Sequence, residues 1–423
     1  MKVYYSLYDR ILSPQALKEG FKKVKSAKGA PGVDGQSIKD FEEDLEINIM
    51  KLVKELREKR YRPLPVKRQE VPKPAGGVRI LGIPAVRDRV VQQALLNILQ
   101  PIFDPHFHPS SYGYRPGRSC HQAIEKAALF AQRYDLRHVV DMDLSKCFDT
   151  LDHEIIMKQF RKRIADGSIL NLIKLFLTSG TMTGEGWQAT SLGSPQGGVI
   201  SPLIANVYLD VFDQEMKRRG HRIVRYADDI LIFSNSKSAA VNVLKQATKL
   251  LEKDLKLKVN ESKTHIAESH EGIDFLGVTI YSRHIGVQEK KIKEFKSKVK
   301  KATRRNSPVN LDKVIKDVNP LIRGFSNYFR IANSRGDFRD LAGWIRRRLR
   351  AKQMCLWKKP EKLHRRLRQL GYNGNFKKIK MTSWRNACSP LAHYAMPNDF
   401  FDEMGLYNLE AVECGLKILS NYG

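Results

Sequence analysis

The sequence predicts an α+β core, an antiparallel sheet flanked by helices, followed by an all-helical and strongly basic region. Three observations carry this expectation. In the first 280 residues, short strand-like runs, the alternating Val139–Leu144 and the hairpin-like Ile223–Ser234 among them, are interspersed with longer runs of helical period. Beyond Glu289 the pattern is helical to about Lys359. The charge divides at nearly the same place. Residues 281–380 hold 30 basic and 7 acidic side chains, the first 280 hold 43 and 33, and the last 43 hold 2 and 5.

The 423 residues, 42% hydrophobic and 28% charged, suffice for two or three domains with their own cores. This composition excludes a disordered tail, a collagen-like repeat and a disulfide scaffold. The formal charge of +30 points to a large polyanion. A membrane surface is anionic too, but no apolar run approaches the ~18 residues of a spanning helix, and no membrane partner is expected. Cys120, Cys147, Cys355, Cys388 and Cys414 are far apart and form no C-x-x-C pair. They read as ordinary reduced thiols of a cytosolic protein.

Taken in order, residues 13–28 and 36–60 have amphipathic helical spacing, separated by the turn-dense Gly29–Gly35. Val66–Pro84 reads as a hairpin turning at Pro72–Gly77. Val86–Ile102 is predicted helical, ending at Pro101, and His153–Leu177 is a further helix. Gly193–Gly198 is a loop opening the helix Pro202–Met216. Ile223–Ser234 reads as a β-hairpin with Ala227-Asp228-Asp229 at its turn. A helix over Ser238–Leu255, a short strand at Leu257–Val259 and another at Phe275–Ile280 complete the core.

Three carboxylates stand in apolar strand context, where an unpartnered charge is costly: Asp143, and the adjacent pair Asp228 and Asp229. Adjacent carboxylates stay ionised at low cost when a cation lies between them, and Mg²⁺ commonly takes one or two carboxylates plus substrate phosphates. If the strand 139–144 pairs with the hairpin 223–234, Asp143 and Asp228 converge into a two-metal site suited to displacement at phosphorus. Asp141 is expected to be structural and turned away from Asp143.

In the basic segment, Phe325, Tyr328, Phe329, Phe338, Trp344 and Trp357 interleave with the charges, and Arg346-Arg347-Arg348-Leu349-Arg350 covers more than one helix face. That combination predicts nucleic-acid contact.

Asp143–Phe148, Ser194–Gly198 and Tyr226-Ala227-Asp228-Asp229 occur in that order with helices between. Together they resemble the palm motifs of reverse transcriptases. Val71–Arg79, Leu81-Gly82-Ile83-Pro84, Tyr112–Arg118, Ser201-Pro202-Leu203, Leu276-Gly277 and Ile322–Phe329 sharpen the likeness. Over about Leu12–Leu409 the chain resembles a group II intron reverse transcriptase, or maturase. The resemblance implies a right-hand polymerase: an N-terminal extension and fingers over 1–115, a palm over 116–285, a helical thumb over 286–355 and a DNA-binding region over 356–423. It also implies two Mg²⁺ ions held by Asp143, Asp228 and Asp229 with the carbonyl of Leu144, serving attack of a primer 3′-hydroxyl on a dNTP. Phe148 falls at the family's sugar-discriminating aromatic. Lys73 and Arg79 match the residues that grip the triphosphate. Gln196 and Gly197 would let backbone approach the nucleotide, and Lys263 matches a lysine that protonates pyrophosphate. Arg115 and Arg118 are expected either at template phosphate or buttressing the palm, and Arg323, Arg346, Arg347, Arg348 and Arg350 at nucleic acid.

The partners so implied are the parent intron RNA, an RNA template with its DNA primer, dNTPs and target DNA. The paired cysteines of the C-terminal nuclease found in many relatives are absent, so second-strand cleavage is not expected. Two other readings share these residues. One is an RNA-binding splicing cofactor with incidental polymerase activity. The other is a free-standing relative serving DNA repair or phage defence.

Overall fold

The computed structural model describes residues 2–72, 77–184, 186–195 and 197–416. They fall into two compact units, one drawn from Met1–Phe130 and Tyr134–Glu268, the other from Ala131–Arg133 and Ser269–Gly423. In chain order the strands are β1 (Val66–Pro72), β2 (Val78–Ile83), β3 (His138–Met142), β4 (Thr181–Thr183), β5 (Gly186–Gln188), β6 (Arg222–Tyr226), β7 (Asp229–Ser234), β8 (His265–Glu268), β9 (Ile273–Phe275), β10 (Val278–Ile280) and β11 (Ile285–Val287). Two sheets of the first unit have orders β2-β1-β4-β5 and β6-β7-β3-β8, and the second unit carries β11-β10-β9. The expected α+β arrangement of antiparallel strands with helices is present, although β1 pairs with β4 in parallel. Among the described residues no helix is long and apolar enough to cross a membrane.

The sheet β6-β7-β3-β8 is antiparallel throughout, with Met142 opposite Ile230 and Asp141 opposite His265. Its helix-covered face contributes Val140, Met142, Ile223, Ile230 and Ile232 to a buried cluster that also takes in the helices Ser201–Arg218 and Lys237–Lys249. Leu203, Val207, Phe212, Ala240, Val243 and Ala247 fill it from the helix side. Period two along the strands and 3.6 along the helices thus meet at one apolar layer.

Several elements depart from expectation. The helix read over 36–60 is two, Ile38–Glu43 and Leu45–Arg57, broken at Asp44. The helix read over 153–177 is also two, His153–Arg161 and Gly167–Leu177. Asp166 begins the second by accepting the N–H groups of Ser168 and Ile169, and the same carboxylate accepts those of Leu7 and Tyr8. Pro101 does not stop its helix, which continues to Phe103, because a proline in the last turn forfeits one bond only. Leu276 and Gly277, read inside a strand, form a two-residue turn between β9 and β10, both with positive φ (48° and 84°), as a tight hairpin requires. Val259 joins no strand and makes a single bridge to Leu144.

In the second unit, the helices Glu289–Ala302, Leu311–Phe329 and Arg335–Trp357 pack through stacked Phe295 and Phe325, 4.3 Å between ring centroids, with Phe338 beside them. Phe325, Phe329 and Phe338 are therefore core, and the expectation that these rings belong to a nucleic-acid contact surface is corrected: their helical spacing faces the neighbouring helices. The chain after Asn398 returns along Leu311–Phe329. There Asn319 donates to the carbonyl of Gly405 and accepts the N–H of Tyr407.

Candidate active site

The hairpin β6–β7 turns through Ala227 and Asp228, with Tyr226 paired to Asp229. Because Met142 pairs with Ile230, Asp143 leaves β3 beside the residue that begins β7, and the three carboxylates meet at one end of the sheet. Asp228 and Asp229 are mostly buried. Burial raises the Asp228 carboxyl, and the Asp143 charge adds to the effect. Asp229 is pushed up to about 7, by burial first and then by Asp228, Asp143 and Asp141. Asp141 is thus no bystander. Residues two apart on a strand share a face, so the expectation that it turns away from Asp143 is corrected.

Asp143 is held from one segment, Asn260–Thr264. One of its carboxylate oxygens accepts from Asn260 Nδ2 at 2.8 Å and from Lys263 Nζ at 3.0 Å. Its carbonyl accepts the Asn260 N–H, and its own N–H donates to the Thr264 hydroxyl. Lys263, singled out in the sequence, therefore reaches the cluster. Asn260 and Thr264 were missed, although they flank it in the same run. Leu144 is buried in its bridge to Val259.

The turn that carries Asp228 is anchored by Arg225, fully buried. Its guanidinium grips both oxygens of Asp213 and donates to Asn206 Oδ1 and the Ala227 carbonyl. Asn206 in turn donates to the Gly113 carbonyl at 2.9 Å. A side chain at Gly113 would collide with the backbone nitrogen of Ala227, so the segment Tyr112–Tyr114 lies flat on the turn. The signal for Asp213, an acid on the apolar face of Pro202–Met216, was available in the sequence and unused.

Phe148 lies on the short helix Cys147–Thr150 and is 8% exposed, its carbonyl accepting the Ser194 N–H at 2.7 Å. Arg79 on β2 is exposed, and its charge lowers Asp228 against the larger pull of burial. Lys73 and Gln196 lie outside the described residues. Gly197 has φ 122°, and a side chain there would fall on the carbonyl of Gly82. Its glycine is thus explained by the approach of this loop to β2.

The family profile described as reverse transcriptase (RNA-dependent DNA polymerase) matches residues 71–280, which hold all three carboxylates. That described as group II intron, maturase-specific domain, matches residues 292–371. Protein YkfC of Escherichia coli is 36% identical over 308 residues, 63% of this chain and 80% of that protein. The chain belongs to the group II intron reverse transcriptase/maturase family. The group II intron-encoded protein LtrA of Lactococcus lactis is 29% identical over 375 residues, 72% of this chain, which spans 61% of LtrA's length. A telomerase structure from Candida albicans is similar at 13% identity and a TM-score of 0.42, over 75% of this chain and 64% of that one, too slight a likeness to carry an argument.

Reverse transcriptases of this family generally use divalent metal ions, and the residues present fit that requirement. The donors are hard carboxylate oxygens, and their mutual repulsion is what a cation relieves. Among the described residues no group of three or more His, Cys, Asp or Glu side chains forms a metal-holding cluster by itself. Mg²⁺ needs fewer, since substrate phosphates complete its shell.

The arginines separate sharply. Arg115 is buried, and all five of its N–H groups are engaged by Asp104 and by the carbonyls of Asp104, His108 and Ser111. Of its two expected placements, phosphate contact is corrected and buttressing stands. Arg350 is buried against Met396 and Asn398, and Arg346 is paired with Glu410. Arg348 lies between the rings of Trp344 and Trp384 and donates to Thr303. These three are corrected from nucleic-acid contacts to packing. A run of arginines on one helix has an inner face, and there the helix meets the tail. Arg118, Arg323 and Arg347 are exposed, Arg118 over Tyr112 and Arg323 over Tyr407.

Proposed function

We propose that the chain is an RNA-directed DNA polymerase that extends a DNA primer on an RNA template. We further propose that it binds its parent intron RNA to assist splicing and copies that RNA at a DNA target. The observation that supports this best is the meeting of Asp143, Asp228 and Asp229 at one end of the sheet, with Lys263 on Asp143. In this reading Asp143, Asp228 and Asp229 hold two Mg²⁺ ions, which when bound neutralise the phosphates and lower the pKa of the primer 3′-hydroxyl. Arg79, with Lys73, binds the triphosphate of the dNTP. Phe148 closes the space a 2′-hydroxyl would need. Lys263, which contacts Asp143, is the proposed proton donor to leaving pyrophosphate. Arg225, through Asp213 and Asn206, fixes the turn so that the carboxylates need no reorganisation during the reaction. We assign fingers to 1–115, palm to 116–285, thumb to 286–355 and DNA-binding region to 356–423, with Arg118, Arg323 and Arg347 as the arginines free to meet phosphate.

The test is primer extension on a long RNA template with dNTPs and Mg²⁺, the Asp228→Ala protein alongside. Full-length cDNA from the natural chain, and a loss of about 10⁴-fold or more in the variant, is the expected outcome. Equal extension by both proteins, or none by either, overturns the reading. In the latter case tight binding of structured RNA would leave the splicing cofactor in its place, a role that the maturase-specific match supports.

A further inference from the structure

Tyr114 is not explained by packing. It is 51% exposed, in an otherwise buried run from Ser110 to Gly113, and a tyrosine there holds φ at 58°. Left-handed backbone disfavours a bulky residue and persists only where the surroundings impose it. Here the imposition is visible. Gly113 lies against Ala227, itself at φ 58°, and Asn206 holds the Gly113 carbonyl while Arg225 holds both Asn206 and the Ala227 carbonyl. Tyr114 is therefore locked to the turn that presents Asp228.

Its ring meets Phe148 edge to face, with centroids 6.2 Å apart and planes at 77°. Its phenol is raised by burial and by the nearby Asp228 charge, and Arg79 opposes that. Tyr114 thus stands near Asp228, the arginine proposed to bind the triphosphate and the aromatic proposed to read the sugar. The backbone of Phe148 is fixed from the other side by the loop at Gly193 and Ser194. Its ring has a free torsion at Cα–Cβ, and an edge-to-face partner limits that freedom.

We infer that Tyr114 is a positioning residue for sugar selection, holding the ring of Phe148 at a fixed height above the turn that carries Asp228. This rests on the polymerase reading and adds a specificity-determining residue to it. Without the Tyr114 ring, Phe148 can swing aside and admit a 2′-hydroxyl, so ribonucleotides should be incorporated more readily relative to deoxynucleotides.

The experiment is single-nucleotide incorporation by the full chain on a primed RNA template, measuring kcat/KM for dATP and for ATP. The variants are Tyr114→Asn, Tyr114→Phe and Phe148→Ala, with the Tyr114→Asn, Phe148→Ala double variant. Asn is chosen because it tolerates left-handed backbone. The dATP-to-ATP ratio divides out any general loss of activity. It should fall about three- to tenfold in Tyr114→Asn, the scale of an aromatic pair. It should hold in Tyr114→Phe, which keeps the ring, and should fall no further when Tyr114→Asn is added to Phe148→Ala.

An unchanged ratio in Tyr114→Asn overturns the inference and leaves the polymerase reading intact. So does an equal fall in both backgrounds, because Tyr114 would then act without Phe148. A fall in Tyr114→Phe also overturns it, by placing the effect on the hydroxyl. If the natural chain incorporates neither nucleotide, the polymerase reading fails and this inference with it. That result is distinct from the other three.

Discussion

The first unit buries carboxylates, the second buries arginines, and the two are treated in opposite ways. Asp228 and Asp229 lie side by side near Asp143 and Asp141, and their charged forms are disfavoured by burial and by neighbouring carboxylates, Asp143 for Asp228, and Asp228, Asp143 and Asp141 for Asp229. The buried Arg346 and Arg350 and the half-buried Arg348 have each been given a partner: Glu410, Met396 with Asn398, and Thr303 with two tryptophan rings. A buried charge that the fold satisfies belongs to the scaffold. One that the fold leaves in conflict awaits something from outside, here a cation. Arg225 lies in the first unit yet follows the rule of the second, since Asp213 and Asn206 satisfy it and it serves by holding the turn.

The comparison is broken most directly at Arg225. If it is scaffold, Arg225→Met leaves Asp213 buried and unpaired, which costs about 3–5 kcal/mol. The thermal midpoint of the transition reporting the first unit should fall by roughly 10 °C. Replacing both members, Arg225→Met with Asp213→Leu, should recover much of that stability, because a buried pair is often no more stabilising than apolar groups of the same volume. Polymerisation should stay low in the double variant, since the Ala227 carbonyl has lost its donor. Differential scanning calorimetry with primer extension reads both. A single variant as stable as the natural chain would show that the pair is not the anchor of the turn.

Much of the site was legible because its chemistry is local. The acidic strand end, the Tyr-x-Asp-Asp turn and the run through Lys263 each sit within a few residues, and a hairpin is the simplest way to present them. What was not legible is contributed across the chain. Asp213 and Asn206 reach Arg225 from a helix, Gln92 accepts the Val199 N–H from another, and Asp166 serves two segments about 160 residues apart. The arginine run fails for a related reason. Spacing shows that it covers two faces of a helix, but which face meets the tail depends on how the chain returns, and only the fold fixes that.

Another buried carboxylate of the first unit, bonded yet still disfavoured by burial, limits the rule. Asp88 is almost fully buried and accepts from the Tyr61 hydroxyl at 2.6 Å and the Leu64 N–H at 2.9 Å, yet burial outweighs these bonds and pushes its carboxyl up to about 6. In the unfolded chain the group titrates near 3.9. Below about pH 4 it is protonated in both states and costs nothing. As pH rises from about 4 to 6 the unfolded state gives up its proton first, so stability falls across that window and levels off above it. Asp88→Asn removes this fall, and its stability relative to the natural chain should rise by about 1–3 kcal/mol between pH 4 and 7. Urea unfolding at several pH values measures it. The acceptor lost on substitution gives an offset independent of pH, so only the slope is diagnostic, and parallel curves for the two proteins would break the prediction.

The smallest effect concerns the arginines left over. Arg347 is exposed on the helix whose Arg346 and Arg350 are buried, so neighbouring residues of one run should differ in kind. Arg350→Met forfeits bonds to the Met396 carbonyl and Asn398 and should cost about 1.5–3 kcal/mol of stability. Its binding of structured RNA, measured below its melting range, should keep the salt dependence of the natural chain. Arg347→Ala should leave the melting temperature unchanged, weaken RNA binding slightly at every sequence, and reduce the slope of log K against log salt by about 0.7–0.9. If instead both substitutions reduce the slope alike, Arg350 leaves its carbonyl partners when RNA arrives. The division between satisfied and waiting charges would then hold for the carboxylates alone.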